Sequence, residues 1–295
     1  MPRYKLTIEY AGTRYSGWQI QKNARTVQGE LHQAIQKGLR ANRFETYGSG
    51  RTDAGVHALA QIAHLDLGEP LPPETLVQRV NAELPHDINL IAAERVPPRF
   101  HARHSAVARS YVYQIATRRT AFTKPFVWWV RESLDVERMQ RAAAAFVGFG
   151  DFRAFTDDDP EEKSTTVAVN EVRVVRQGTL ILVRVVGSHF LWKMVRRLTG
   201  VLVEAGKGSL DPPRVPGLLS STSALPAQLT APASPPWNGT SPADMRYDFD
   251  ALVFSGGRAG LPPTIMTFGG DRERFGLPSD VNAFLLENDV WQLGR

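Results

Sequence analysis

The sequence predicts an α+β protein built from two ferredoxin-like (split βαβ) halves whose strands join a mixed or antiparallel sheet flanked by helices. Two observations carry that expectation. Strand-period and helix-period stretches follow one another as βαββαβ over the first hundred residues, and a similar order runs on to about Gly206.

The elements follow in order. Tyr4, Leu6, Ile8 and Tyr10 alternate with Lys5, Thr7 and Glu9, the period of a half-buried strand. Thr26 is a candidate N-cap, after which Val27, Leu31, Ala34, Ile35 and Leu39 recur at helical spacing. Phe44 to Tyr47 reads as a strand closed by a Gly-Ser-Gly turn, and Ala60 to Leu67 as the next. Pro72-Pro73 opens a helix to about Leu84, and Ile88 to Val96 is a strand. In the second half, Ala106 to Thr117 alternates as a strand, and Asp135 caps a helix carrying Met139, Ala142, Ala143 and Phe146, closed by Gly148. Val172 to Val186 reads as a hairpin around Gln177-Gly178. Phe190, Met194, Val195, Leu198, Val201 and Leu202 form a helix face that Gly206 stops. The acidic run Asp157 to Glu162 is expected to be a solvated connection. Leu210 to Pro242, rich in Pro, Ser, Thr and Ala, reads as a linker, and Phe254 to Gly257 as a glycine turn. The expected division is 1–104, 105–234 and an acidic C-terminal extension, 235–295.

Composition narrows the function. The absence of cysteine excludes disulfides, thiolate metal sites, iron–sulfur clusters and a cysteine nucleophile. The N-terminus lacks a signal-peptide apolar core, and no run approaches the roughly 18 apolar residues of a membrane helix, so a cytoplasmic protein is expected. The net charge is +5, and it is unevenly placed. Arg95 to Arg131 holds eight Lys/Arg and no Asp or Glu, whereas residues 235–295 hold five basic and eight acidic residues. A basic stretch of this kind fits either a polyanionic partner or a solvated face. Gly48-Ser-Gly50 lacks the third glycine of a dinucleotide fingerprint. Gly206-Lys-Gly208 is no P-loop, and no metal-spaced histidine pair or Gly-x-Ser-x-Gly elbow occurs.

Three clusters carry chemistry. In Gly48-Ser-Gly-Arg-Thr-Asp-Ala-Gly-Val-His57, small residues flank Asp53, allowing a sharp turn and close approach of a substrate. Asp53 there is a nucleophile, a general base, or the anchor of an ordinary Asx turn. Phe100-His-Ala-Arg103 leads into Arg109-Ser-Tyr-Val-Tyr113, with Tyr111 and Tyr113 on one strand face, as base-stacking platforms or as core. Lys193-Met-Val-Arg-Arg197 places Lys193, Arg196 and Arg197 off the apolar helix face, facing a buried carboxylate or phosphates.

These motifs resemble the tRNA pseudouridine synthase A (TruA) family from about Tyr4 to Gly208. Glu9 to Gln21 is similar to the family's opening strand and loop, with Ala11 where Asp is usual, and Gly50-Arg-Thr-Asp-Ala-Gly-Val-His-Ala58 to its catalytic motif. Asn81-x-x-Leu-Pro-x-Asp-Ile88, Phe100 to Arg103, Arg109-x-Tyr111 and Met194-Val-Arg196 follow in family order, and Ala168 stands where Arg is expected. The resemblance implies that Asp53 is the nucleophile, that Tyr111 packs on the target uracil, that Arg196 holds the Asp53 carboxylate, and that Arg51 flips the base or fills its place. His101, Arg103, Arg109 and Lys193 are the further RNA contacts. The implied substrate is uridine 38, 39 or 40 in the tRNA anticodon arm, acted on by a homodimer without metal or small-molecule cofactor. The competing expectations are a tRNA-binding or tRNA-folding factor that has lost turnover, and a nucleic-acid hydrolase using Asp53.

Overall fold

The computed structural model describes residues 1–219, 223–232 and 254–257. They fall into two compact units, 1–107 with 254–257, and the described residues from 108 to 232. Residues 235–253 and 258–295 of the expected C-terminal extension lie outside the described residues.

The first unit runs β1 (Arg3–Tyr10), α1 (Val27–Leu39), β2 (Phe44–Gly48), β3 (Ala58–Leu67), α2 (Pro73–Asn81) and β4 (Ile88–Val96). β1 pairs antiparallel with β3 and β4, and β2 with β3, so the strand order is β4-β1-β3-β2, that of a split βαβ fold. The period of β1 explains the layering. Tyr4, Leu6, Ile8 and Tyr10 are buried against α1 and α2 in one core, and the residues between them lie on the opposite face. Thr26 caps α1 by accepting the Gly29 N–H at 3.2 Å, and the helix ends at Arg40 in the left-handed conformation (φ 52°). Proline at the start of α2 costs no hydrogen bond, because the first-turn amides of a helix have no internal partner.

The second unit contains β5 (Ala106–Ala116), β6 (Trp128–Trp129), α3 (Val136–Ala143), β7 (Gly148–Asp151), β8 (Thr166–Gln177), β9 (Leu180–Gly187) and α4 (Met194–Lys207). β5 pairs antiparallel with β9, β9 with β8 and β8 with β7, while β6 lies parallel to the end of β5. Asp135 caps α3 through the Arg138 N–H, as expected. The chain therefore repeats the order strand, helix, hairpin, helix. Among the described residues of this unit, no strand follows α4.

Four details differ from the sequence reading. Phe190 precedes α4, which begins at Met194. Gly206 lies inside that helix, where a Cβ would sit 2.7 Å from Met139, and the helix stops at Gly208 (φ +86°). The linker after Leu210 contains two short helices, α5 (Val215–Leu219) and α6 (Leu225–Gln228), since Pro216 and Pro226 lie near helix starts where proline is tolerated. Phe254–Gly257 is a strand, β10, parallel to β3 in the first unit, because its backbone pairs at Ala60 despite two glycines.

Candidate active site

The loop carrying Asp53 leaves β2 at Gly48 and enters β3 at Ala58, and it is held along its length. Ser49 donates its N–H to the Ile62 carbonyl (2.7 Å) and its hydroxyl to Gln61 Oε1 (3.1 Å). Gln61, fully buried, donates Nε2 to the Gly50 carbonyl (2.9 Å). Thr52 accepts the Trp18 N–H at its carbonyl (3.1 Å) and shares a hydrogen bond with the Tyr10 hydroxyl (2.9 Å). Gly55 (φ +81°) donates to the Tyr15 carbonyl, Val56 to the Asp53 carbonyl, and buried His57 accepts the Gly12 N–H at Nδ1. Buried Thr52 thus separates exposed Arg51 from half-buried Asp53.

The segment after β1 exists to make this fit possible. A Cβ on Gly12 would lie 2.0 Å from the Val56 carbonyl oxygen, and one on Gly17 (φ +88°) 2.5 Å from that of Thr52. Either contact is shorter than real Cβ atoms show, so only glycine lets the two loops touch. Trp18, 1% exposed, lies over Gly48. Ala11 donates its backbone N–H to the Asp87 carbonyl, while the Asp87 carboxylate takes Tyr15 (2.5 Å) and Arg14 (2.9 Å).

His101 and Arg103 sit in the turn after β4, half-buried and exposed respectively, with buried Ala102 between them. On the second unit, Tyr111 is half-buried on β5 with the Phe190 ring edge-on at 5.1 Å. Tyr113 is core, 1% exposed, and its hydroxyl donates to the Pro232 carbonyl. Arg109 donates to the Ser188 carbonyl at 2.6 Å. Ala168 pairs with Phe149 in the β7–β8 ladder and donates its N–H to the Ser188 hydroxyl.

Lys193, in the left-handed conformation (φ 62°), opens α4. Its ammonium pairs with Asp157 at 2.6 Å and lies 4.6 Å from the centre of the exposed Trp192 ring. Arg196 is bracketed by Ala231, which accepts its Nε–H at 3.0 Å and returns its own N–H to the Arg196 carbonyl at 3.0 Å. Arg197, expected off the apolar face, is instead buried. It donates to the Ala154 and Thr156 carbonyls and to the Asp157 carboxylate. The hydrogen bond from Lys193 and the charge of Arg197 hold the Asp157 carboxyl below its usual range against the opposing effect of burial. The acidic run is accordingly only partly a solvated connection. Asp158 also takes Lys163 and the Trp192 N–H, because an anion beside the start of α4 is stabilised by its amides and cations.

The sequence reading gave no role to Gln61, Trp18, His57 or His64. A glutamine and a histidine inside an otherwise apolar strand were the available signal, since a buried polar side chain needs a partner.

Among the described residues, no three His, Asp or Glu side chains are placed to hold a metal ion, and no helix is long and apolar enough to cross a membrane. Fold and site together define an α+β enzyme with a carboxylate presented on a rigid glycine-rich loop. A family model described as tRNA pseudouridine synthase matches residues 6–105 and 142–248. The chain is 44% identical over 212 residues to tRNA pseudouridine synthase A of Parvibaculum lavamentivorans, covering 71% of this chain and 86% of that protein. It is 41% identical to the same-named proteins of Rhodopseudomonas palustris (strain BisA53) and Geotalea uraniireducens, covering 80% and 79% of this chain and 96% of each of theirs. The chain belongs to the tRNA pseudouridine synthase family. The family match continues past Gly208, where the recognised motifs end, to residue 248.

Proposed function

We propose that this isomerase converts uridine to pseudouridine at positions 38, 39 and 40 of the tRNA anticodon arm, with Asp53 as nucleophile. The observation that carries this is the clamped loop, which presents a half-buried carboxylate on a backbone fixed by Tyr10, Gly12, Tyr15, Gly17 and Trp18. The reaction breaks a C–N glycosidic bond and forms a C–C bond to the same ribose, so atoms balance without redox change or cosubstrate. A carboxylate can attack ribose C1′ or uracil C6, hold one fragment covalently and leave again. It must be ionised to do so, and Arg196 supplies the neighbouring positive charge that favours the anion.

A stacked uridine is out of reach, and extruding it costs a few kcal/mol. Stacking on Tyr111, worth roughly 1–3 kcal/mol, and Arg51 occupying the vacated space offset that cost. His101, Arg103, Arg109 and Lys193 contact the RNA around the target. The enzyme acts as a cytoplasmic homodimer.

Asp53→Asn tests the reading. The variant is expected to bind tRNA within severalfold of the parent and to lose pseudouridine formation by at least ~10⁴-fold, measured by tritium release from 5-tritiated uridine. Substantial turnover by this variant would overturn the assignment of Asp53. Mapping the modified positions in tRNA after incubation with the parent enzyme tests the site preference.

A further inference from the structure

The turn after β4 carries His101 and Arg103 on a stretch with neither helix nor strand, yet its backbone is fixed from beneath by two strands. From β1, Arg3 forms a fork with the Asp66 carboxylate (2.7 and 2.6 Å), and its remaining Nη1 donates to the Pro98 and Phe100 carbonyls, both at 2.6 Å. From β3, His64 accepts the Ala102 N–H at Nδ1, 3.1 Å away. His64 is 1% exposed and Ala102 2% exposed, and Ala102 separates His101 from Arg103 in the chain. Tyr47 stacks on the His64 ring (5.1 Å, 19°), and the His101 ring meets it edge-on at 4.7 Å. His101 in turn accepts the Arg103 N–H at Nδ1 (3.2 Å).

The choice of residue at 64 is informative. An aliphatic side chain would fill a buried strand position at no polar cost. A histidine buried there is useful only if its acceptor is used, and Nδ1 accepts only when the imidazole is neutral with its proton on Nε2. Burial and the nearby Arg3 charge both favour that neutral form. Arg3 completes the hold, because its guanidinium presents several donors in one plane and can serve Asp66 and two carbonyls together.

We propose that His64, with the Arg3–Asp66 fork, is a positioning residue of the reaction: it fixes the Ala102 amide and thereby the direction in which Arg103 meets the tRNA. This rests on the reading of Arg103 as an RNA contact.

The test is a double-mutant cycle with a conservative rescue. His64→Leu fills the space without an acceptor, whereas His64→Asn places an amide oxygen near the position of Nδ1. His64→Leu is expected to raise KM for tRNA ~10-fold with kcat changed less than ~2-fold, and His64→Asn to recover most of that loss. In an Arg103→Ala background, His64→Leu should change KM by less than ~2-fold, because it acts through a group already removed. Arg3→Gln, which removes the fork from the side of β1, is expected to show the same KM pattern and the same cancellation, and serves if His64→Leu does not fold. Additive losses in the double variants, or Asn performing no better than Leu, would overturn the positioning role alone. An unchanged KM in Arg103→Ala would overturn the RNA contact and the positioning role with it.

Discussion

The two units repeat one helix-and-sheet plan but hold their functional residues by opposite means. Around Asp53 the first unit uses neutral groups: buried His57 and Gln61 bond the backbone at Gly12 and Gly50, and the buried Ser49 and Thr52 hydroxyls bond the Gln61 and Tyr10 side chains. Around Arg196 the second unit uses ions: Arg197, Lys193 and Asp157 form a cluster on the first turn of α4. Neutral bonds fix a loop without adding formal charge of their own, and they are nearly indifferent to salt. An ionic cluster of two cations and one carboxylate leaves a net positive charge, and its partly exposed members respond to salt. The difference teaches that one unit fixes a loop by neutral hydrogen bonds while the other fixes the start of a helix by charge.

The largest way to break this contrast is Gly12→Ala. The added methyl would lie 2.0 Å from the Val56 carbonyl, so the loop must move. A displacement of about 1 Å at the reacting group can cost ~100-fold in rate, and kcat on tRNA is expected to fall by that order. Next is Arg197→Met, which removes the ionic half at its centre. It strands the buried Thr156 carbonyl and the half-buried Ala154 carbonyl, but Asp157 is 35% exposed and stays partly hydrated. The cost should therefore lie near 2 kcal/mol, below the 3–5 kcal/mol of a broken, fully buried pair, as read from urea unfolding.

The third concerns acid. Burial, helped by Arg3 and His101, lowers the His64 pKa to about 4, with Asp66 the one opposing charge. The unfolded chain then takes up this proton first. The stabilisation is complete above the unfolded value near 6.5 and is lost as pH falls toward 4. Between pH 6.5 and 5 the loss should be on the order of 2 kcal/mol, and it should vanish in His64→Asn, which has no proton to gain. An acid limb unchanged in that variant would refute the neutral histidine. The smallest effect is expected from Lys193→Gln. Its ammonium is already shared with Asp157, so it should weaken tRNA binding only a few-fold and change the salt slope by less than ~1.

Most of the fold was legible because its signals are local. The alternation in β1, the Thr26 and Asp135 caps and the proline at α2 each act within a few residues. The stop of α4 was misplaced by two residues because Gly206 serves packing against Met139, and packing between distant segments leaves no periodic trace. The Asp53 loop was legible as a pattern of small residues, but its partners were not. Gln61 and Trp18 are read as strand and loop until the structure brings Gly50 and Thr52 to them. Arg197 was misjudged for the same reason: on a helical wheel it is a surface cation, and only the return of Asp157 explains its burial.

Gly200 gives the second unit a further property. A Cβ there would sit 1.5 Å from the Leu229 carbonyl oxygen, so the helix is notched where residues 229–231 cross it, two residues before Ala231 grips Arg196. The crossing works as a splint, laid on only when synthesis has passed the last recognisable motif. A message ending between Gly208 and Ala231 would encode every signature residue and still lack the Ala231 hold on that arginine.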